Sequence, residues 1–279
     1  MAAGHQYYEA DGAPLDVPAD PARVVAAWQS HRTRLRSWFA GLPDDRWSAP
    51  TRCMDWNVTD IAQHLLLVTN FLTFTLHHAR KRQPTTVLQG FDPQAGPAAL
   101  LASAPELSST QLVAELDAID ARVDEVIAEM TYDDWFGPAE APPGWVPAYL
   151  ALTHMLFDSW VHERDLMVPS GEVVVTDVSE ASVVVTYVVG LAGIARGVDE
   201  RPPPAQRLVI KPTDADGPLE VNVAPDGVRI GLTDASAQPN ASGTSADLVD
   251  IATGREPGGR LELDGAASTY LRRLASRMN

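Results

Sequence analysis

The chain has 279 residues, 45% hydrophobic and 21% charged, which is the make-up of a globular protein able to bury a full core and excludes a disordered or fibrous chain. Its formal net charge of −16 repels phosphate backbones and anionic lipid, and its cations occur as scattered pairs such as Arg80/Lys81 and Arg272/Arg273, so neither nucleic acid nor a membrane is an expected partner. A single cysteine leaves no internal disulfide framework and fits a reducing compartment.

In chain order, the opening "MAAGHQYYEADGAPLD" has neither a basic start nor an apolar core, so no signal peptide is expected and the protein is read as cytoplasmic. Pro21 opens a helix to about Ala40, with Val24, Ala27, Trp28, Leu35 and Trp38 at roughly helical spacing and "GLP" as its stop. The stretch "TRCMDWNVTDIAQH", from Thr51 to His64, leads into a second helix that runs to about Lys81. Thr59 is its predicted N-cap, and Asp60 sits in the first turn where the helix dipole favours an anion. Trp47 and Trp56 are expected to anchor this loop to the core. Cys53, with no histidine near it in sequence, is expected to be structural, and His77 and His78 suit the helix C-terminus. A third helix follows Ser108 or Ser109, with Leu112, Leu116, Ile119, Val123, Val126 and Ile127 as its stripe. A fourth runs from near Pro147 to near Met167, and four long helices predict a bundle.

Ser179 to Arg196 reads as a fifth helix in spite of Val183, Val184, Val185 and Thr186, which are poor helix formers. Its apolar run from Val183 to Ala195 is too short to span a bilayer. "RPPP", Arg201 to Pro204, then breaks the chain as a stiff linker. Beyond it the period becomes alternating. Leu219, Val221 and Val223, the turn "PDG", and Val228, Ile230 and Leu232 predict a β-hairpin. Asp234 to Thr244 is a polar loop, Ser245 to about Thr253 a short helix closed by Gly254, "RLELD" a strand, and Ala267 starts a final helix. The expected class is therefore α+β, mainly α, with a helical bundle and an additional helix over residues 1–200 and a small α+β domain over 201–279.

Chemistry concentrates on the fourth helix, in "HMLFDSWVHERDL". Spacings of four, four and three bring His154, Asp158, His162 and Asp165 onto one narrow arc, beside the apolar Leu150, Phe157 and Val161. A carboxylate and an imidazole one turn apart can reach the same divalent ion, although a solvated face with i, i+4 charge pairs gives the same pattern. His64 lies between the directions of Ile61, Val68, Phe71 and Thr75, so it faces the bundle interior, as a core histidine or as a ligand. A bundle whose second and fourth helices both turn such groups inward can assemble three protein ligands with one position open.

The pattern Trp47, Thr51, Cys53, Trp56, Val58, Asp60, His64, followed by Asp158, His162 and Asp165 in "DSWVHERDL" and by "DLVDIATGRE", resembles the mycothiol-dependent maleylpyruvate isomerase family. The resemblance implies a DinB-like four-helix metal-binding bundle followed by a small domain like the sterol carrier proteins. It implies His64 as first metal ligand, Asp158 as second where the family has a glutamate, and His162 as third. Aspartate has one fewer methylene, so the ion is expected closer to the fourth helix, or bound through a longer bond or a water. Cys53 matches a cysteine of a connecting segment rather than of the metal site. Arg255 in "TGR" matches an arginine that the family needs for activity, giving it an expected role in catalysis and thiol binding; a cation beside a helix C-terminus is the plainer alternative. The implied cofactors are a divalent metal, zinc first, and mycothiol or a similar low-molecular-weight thiol. The implied activity is isomerisation or S-transfer on a small electrophilic substrate. A thiol-independent metalloenzyme of specialised metabolism and a non-catalytic small-molecule-binding protein are the alternatives.

Overall fold

The computed structural model describes residues 6–8, 15–18, 20–195 and 204–278. Arg196, at the end of the expected fifth helix, and Arg201 to Pro203 of the expected linker lie outside the described residues. After a two-residue strand, β1 (Leu15–Asp16), come α1 (Pro21–Ala40), α2 (Val58–Arg80), a short α3 (Gly96–Ser103) and α4 (Ser109–Ala128). A hairpin of β2 (Pro138–Ala141) and β3 (Gly144–Pro147) then runs directly into α5 (Ala148–Met167). These are the four expected long helices, with α3 and the hairpin added.

Local chemistry sets the helix starts. Asp20 caps α1 by accepting from the Arg23 amide, and Pro21 occupies its first turn. The second helix starts one residue before Thr59, because Asn57 forms a capping box with Asp60: each side chain accepts from the other's backbone amide, at 3.0 and 2.9 Å. Thr59 instead donates its hydroxyl to the carbonyl of Trp47, which fastens the helix start to the preceding loop. Ser108 and Gln111 make the same kind of box for α4. The central element is α5, which packs against α1, α2 and α6 (Val178–Ile194) and has nearly every side chain buried.

The rest of the chain forms a six-stranded sheet in the order β1-β6-β5-β4-β7-β8, built from β4 (Gln206–Pro212), β5 (Leu219–Ala224), β6 (Gly227–Leu232), β7 (Ala241–Gly243) and β8 (Glu262–Leu263), with α7 (Ser245–Ala252) and α8 (Gly265–Met278). The expected hairpin is β5–β6, in the register Leu219↔Leu232, Val221↔Ile230 and Val223↔Val228. Strand β4 has no alternating pattern, since Leu208, Val209 and Ile210 are all buried in the sheet centre. The end of the expected polar loop is taken up by β7. At the sheet edge, β1 pairs in parallel with β6, Leu15 opposite Val228. The α+β, mainly α class holds.

Helix α6 lies between the bundle and the sheet, and this seat overrides its low intrinsic propensity. Val184, Val185, Val188 and Val189 are all buried, and the Tyr270 hydroxyl of α8 donates to the Val189 carbonyl at 2.7 Å. Gly190 and Gly193 permit the approach; a methyl group at Gly193 would fall 2.8 Å from both Val228 methyls and against Tyr270. One hydrophobic core therefore runs from α5 through α6 into the sheet, and a second cluster around Phe39, Trp47, Ile61 and Leu116 closes another part of the bundle. Among the described residues no helix is long and apolar enough to cross a membrane.

Gly193→Ala tests this seat by setting two effects against each other. Propensity favours alanine by about 1 kcal/mol, whereas overpacking costs about 1–3 kcal/mol. Because Val228 sits on a strand held on both sides by β1 and β5, overpacking should win and the urea midpoint should fall. A midpoint unchanged or raised means that α6 can shift.

Candidate metal centre

Helices α2 and α5 bring three potential ligands together. His64 Nε2 lies 3.2 Å from Asp158 Oδ2, and His162 Nε2 lies 3.8 Å from Asp158 Oδ1. The two imidazoles stand at 76° with ring centroids 4.9 Å apart, and one ligand atom from each of the three residues lies within 4.8 Å of the others. Tetrahedral ligands at about 2.0–2.1 Å from zinc are spaced about 3.3 Å apart, so the three donors need only small movements to share one ion. The shorter carboxylate of Asp158 thus reaches both histidines. Two imidazoles and a carboxylate, with the remaining side facing a cavity of about 880 Å³, suit a divalent cation with an open position.

Behind these donors stands Asp165, fully buried. Its Oδ2 is 3.1 Å from His162 Nδ1, and its two oxygens accept from Arg255 Nε at 2.8 Å and Nη2 at 2.6 Å. Arg52 approaches the same carboxylate at 3.2 Å, donates its backbone amide to the Asp165 carbonyl, and holds Asp250 of α7 through both Nη1 and Nη2. Burial raises the Asp165 pKa, but the hydrogen bonds from Arg255 and His162 prevail and hold it well below the usual carboxylate range. Burial likewise acts upward on Asp158, where His64 and His162 reverse it and the carboxyl ends well below its ordinary value. For His162 burial acts downward, and the contacts with Asp165 and Cys53 turn the net shift upward. The carboxylate on Nδ1 fixes the ring so that Nε2 is the atom facing Asp158.

A family-wide sequence comparison matches residues 28–167 to the mycothiol maleylpyruvate isomerase N-terminal domain. The chain belongs to the mycothiol-dependent maleylpyruvate isomerase family. The fold agrees with this assignment. A crystal structure of the mycothiol-dependent maleylpyruvate isomerase superposes with a TM-score of 0.60 at 16% identity, and that of a histidine-to-alanine variant does so with 0.60 at 15%; each covers 86% of this chain and 92% of the other. No curated protein matches the sequence. The segment matched to the family contains His64, Asp158, His162 and Asp165, and it ends before Arg255.

Several placements go beyond sequence reasoning. Cys53 does lie in the segment connecting α1 to α2, yet its sulfur is 3.2 Å from Asp165 Oδ2 and 3.8 Å from His162 Nδ1, a histidine supplied by α5 rather than by nearby sequence. Trp47 is the core anchor expected, stacked on Phe39, whereas Trp56 is only partly buried and lines the cavity, 5.1 Å from the His64 ring and 6.0 Å from His162. His154, on the same arc as the candidate ligands, turns its Nδ1 to the hydroxyl of Tyr187. Arg52 and Asp250 carried no periodic signal, because their partners come from distant elements. Asp165 did carry one, three residues after His162 on the same arc.

Elsewhere in the bundle, His31, Glu163 and Glu180 form another group of potential ligands. Arg34 is inserted there, 3.0 Å from His31 Nδ1 and 2.8 Å from a carboxylate oxygen of each glutamate, so a guanidinium is the cation of that site.

Asp165→Asn should lower stability by about 3–5 kcal/mol at pH 7, because it leaves Arg255 and Arg52 facing a neutral amide. The folded-state pKa is depressed, so this stability is fully present above the unfolded value of about 3.9 and is lost as pH falls through the folded value. Denaturation curves of the two proteins should differ most near neutrality and converge in strong acid. A difference that does not depend on pH means that the carboxylate charge is not what holds the arginines.

Proposed function

We propose that this chain is a divalent-metal enzyme in which His64, Asp158 and His162 hold the ion, and that it uses a low-molecular-weight thiol of the mycothiol type for isomerisation or S-transfer on a small electrophilic substrate. The observation that supports this most directly is the convergence of two imidazole Nε2 atoms and a carboxylate at the wall of a large cavity. Zinc is the ion proposed, because two histidines, one carboxylate and an open position form a common catalytic zinc set. When bound, such an ion keeps a thiol ligand as the thiolate at neutral pH.

The chain's own residues orient and exclude. Asp165 accepts the His162 Nδ1–H and so directs the Nε2 lone pair at the site, while Arg255 and Arg52 keep Asp165 charged and in place. Arg255 also lines the cavity. We therefore propose that it serves activity by positioning Asp165, and through it His162, beside any contact it makes with the thiol. Trp56 flanks both imidazoles, and Val68, Phe157, Val161 and Leu191 give the cavity apolar walls that displace water from the reacting groups.

The division into residues 1–200 and 201–279 is likewise proposed. The pairs Arg52–Asp250 and Arg255–Asp165 cross that boundary, as does the pairing of β1 with β6, so the isolated first piece should lose turnover. Full activity from that piece removes the C-terminal elements from the mechanism.

Purified protein should bind about one zinc per chain, and His64→Ala or His162→Ala should release most of it, since two remaining ligands hold an ion poorly. Asp158→Glu should retain the metal and Asp158→Ala should lose it. Elemental analysis after dialysis reads both outcomes, and stoichiometric zinc in the double histidine variant rules these ligands out. In the cobalt-substituted protein, mycothiol should add an intense sulfur-to-metal charge-transfer band and release a proton. If no thiol changes that spectrum while the protein turns over a substrate in thiol-free buffer, the thiol-independent metalloenzyme is the correct account.

A further inference from the structure

His154 occupies α5 one turn before Asp158 and lines the same cavity, but it stands outside the group of converging ligand atoms. Its Nδ1 is 2.8 Å from the hydroxyl of Tyr187, a fully buried side chain of α6. Among the described residues this is the one hydrogen bond given to that hydroxyl. A buried phenol proton needs an acceptor, and Nδ1 is the acceptor at hand. An imidazole that accepts at Nδ1 carries its proton on Nε2. Burial lowers the His154 pKa to about 4 against the opposing pull of Asp158, so the ring is neutral at pH 7. Its plane is fixed by edge-on packing against Tyr187, at 5.7 Å and 89°, and against Phe157, at 5.8 Å and 80°.

The Nε2 atom is therefore a donor looking for a partner. It makes no hydrogen bond to the described residues, and it is not among the sealed unpartnered atoms, which are Arg36 Nε, His78 Nδ1 and Trp160 Nε1. The way out is the cavity. We propose that His154 is a substrate-binding residue whose Nε2–H, held in that tautomer by Tyr187, donates to the carbonyl oxygen of a ligand lying between it and the metal centre.

This rests on the cavity being the substrate site. The i, i+4 spacing sets the Cβ atoms of His154 and Asp158 about 5–6 Å apart on one helix face, within the span of a small carbonyl compound. The donor itself is uncharged, Phe157, Val161, Leu191 and Ile194 are apolar, and both arginines of the described lining are already committed, Arg52 to Asp250 and Asp165 and Arg255 to Asp165.

The first test uses metal-free wild-type protein with ¹⁵N-labelled histidine, so that it stands whether or not the metal assignment does. Long-range proton–nitrogen spectra should show His154 as the Nε2–H tautomer from pH 6 to 8, and Tyr187→Phe should give a mixture. The second test compares cyclohexanone with methylenecyclohexane, which replaces the oxygen by a CH₂ group. Wild type should prefer the ketone by about five-fold and shift the His154 nitrogen signal on binding it, and His154→Phe should bind the two about equally, with unchanged zinc content. An Nδ1–H tautomer, a ketone preference that survives in His154→Phe, or no shift at His154 under saturating cyclohexanone overturns the proposal.

Discussion

The Asp165 carboxylate is out of contact with water and accepts hydrogen bonds from Arg255 through both of its oxygens while also facing Arg52 and His162. Removing a charge from water costs several kcal/mol unless partners compensate it, and here the compensation comes from three separate parts of the chain. Arg52 belongs to the loop before α2, His162 to α5, and Arg255 to the segment after α7. A displacement of any one of them leaves a buried charge exposed to an apolar interior. The loop that carries Cys53 and Trp56, the central helix and the C-terminal elements are thereby tied to one point, and that point lies directly behind the imidazole of His162.

This arrangement explains why only part of the site is legible in the sequence. His154, Asp158, His162 and Asp165 declare themselves by helical periodicity, because they share one arc of a single helix. His64 declares itself by facing the apolar side of α2. Arg52 and Cys53 give no such signal, since a loop residue has no period, and Asp250 of α7 gives none because its partner Arg52 is brought to it by tertiary packing alone. The fold shows the same split. The four long helices and the β5–β6 hairpin follow from period and capping residues, while β4 escapes because a strand buried on both faces does not alternate, and β1 escapes because its partner lies more than two hundred residues away. Thr59 for Asn57 as the N-cap is a smaller case: both residue types cap helices, and the reciprocal bond with Asp60 decides between them.

The contrast with Arg34 sharpens the meaning of the candidate centre. Each cluster brings histidine and carboxylate together inside the bundle. Around His31 a guanidinium from the protein is already bonded to both glutamates. Around His64 and His162 no arginine or lysine reaches Asp158 among the described contacts, and the open side meets the large cavity. Both imidazoles point nitrogen atoms at one carboxylate there, an arrangement that a divalent ion satisfies. Membership of the mycothiol-dependent maleylpyruvate isomerase family supports an enzyme, and Asp158 lies 3.2 Å from His64 and 3.8 Å from His162.

Zinc K-edge X-ray absorption of the zinc-loaded protein in thiol-free buffer tests the ligand assignment most directly, because two neighbouring sets share His162 and differ in sulfur. The set His64, Asp158 and His162 contains only nitrogen and oxygen donors, whereas the set Cys53, His162 and Asp165 contains a cysteine. The account predicts a first shell of nitrogen and oxygen alone at about 2.0–2.2 Å. A sulfur shell at about 2.3 Å would put the ion at Cys53 and contradict it.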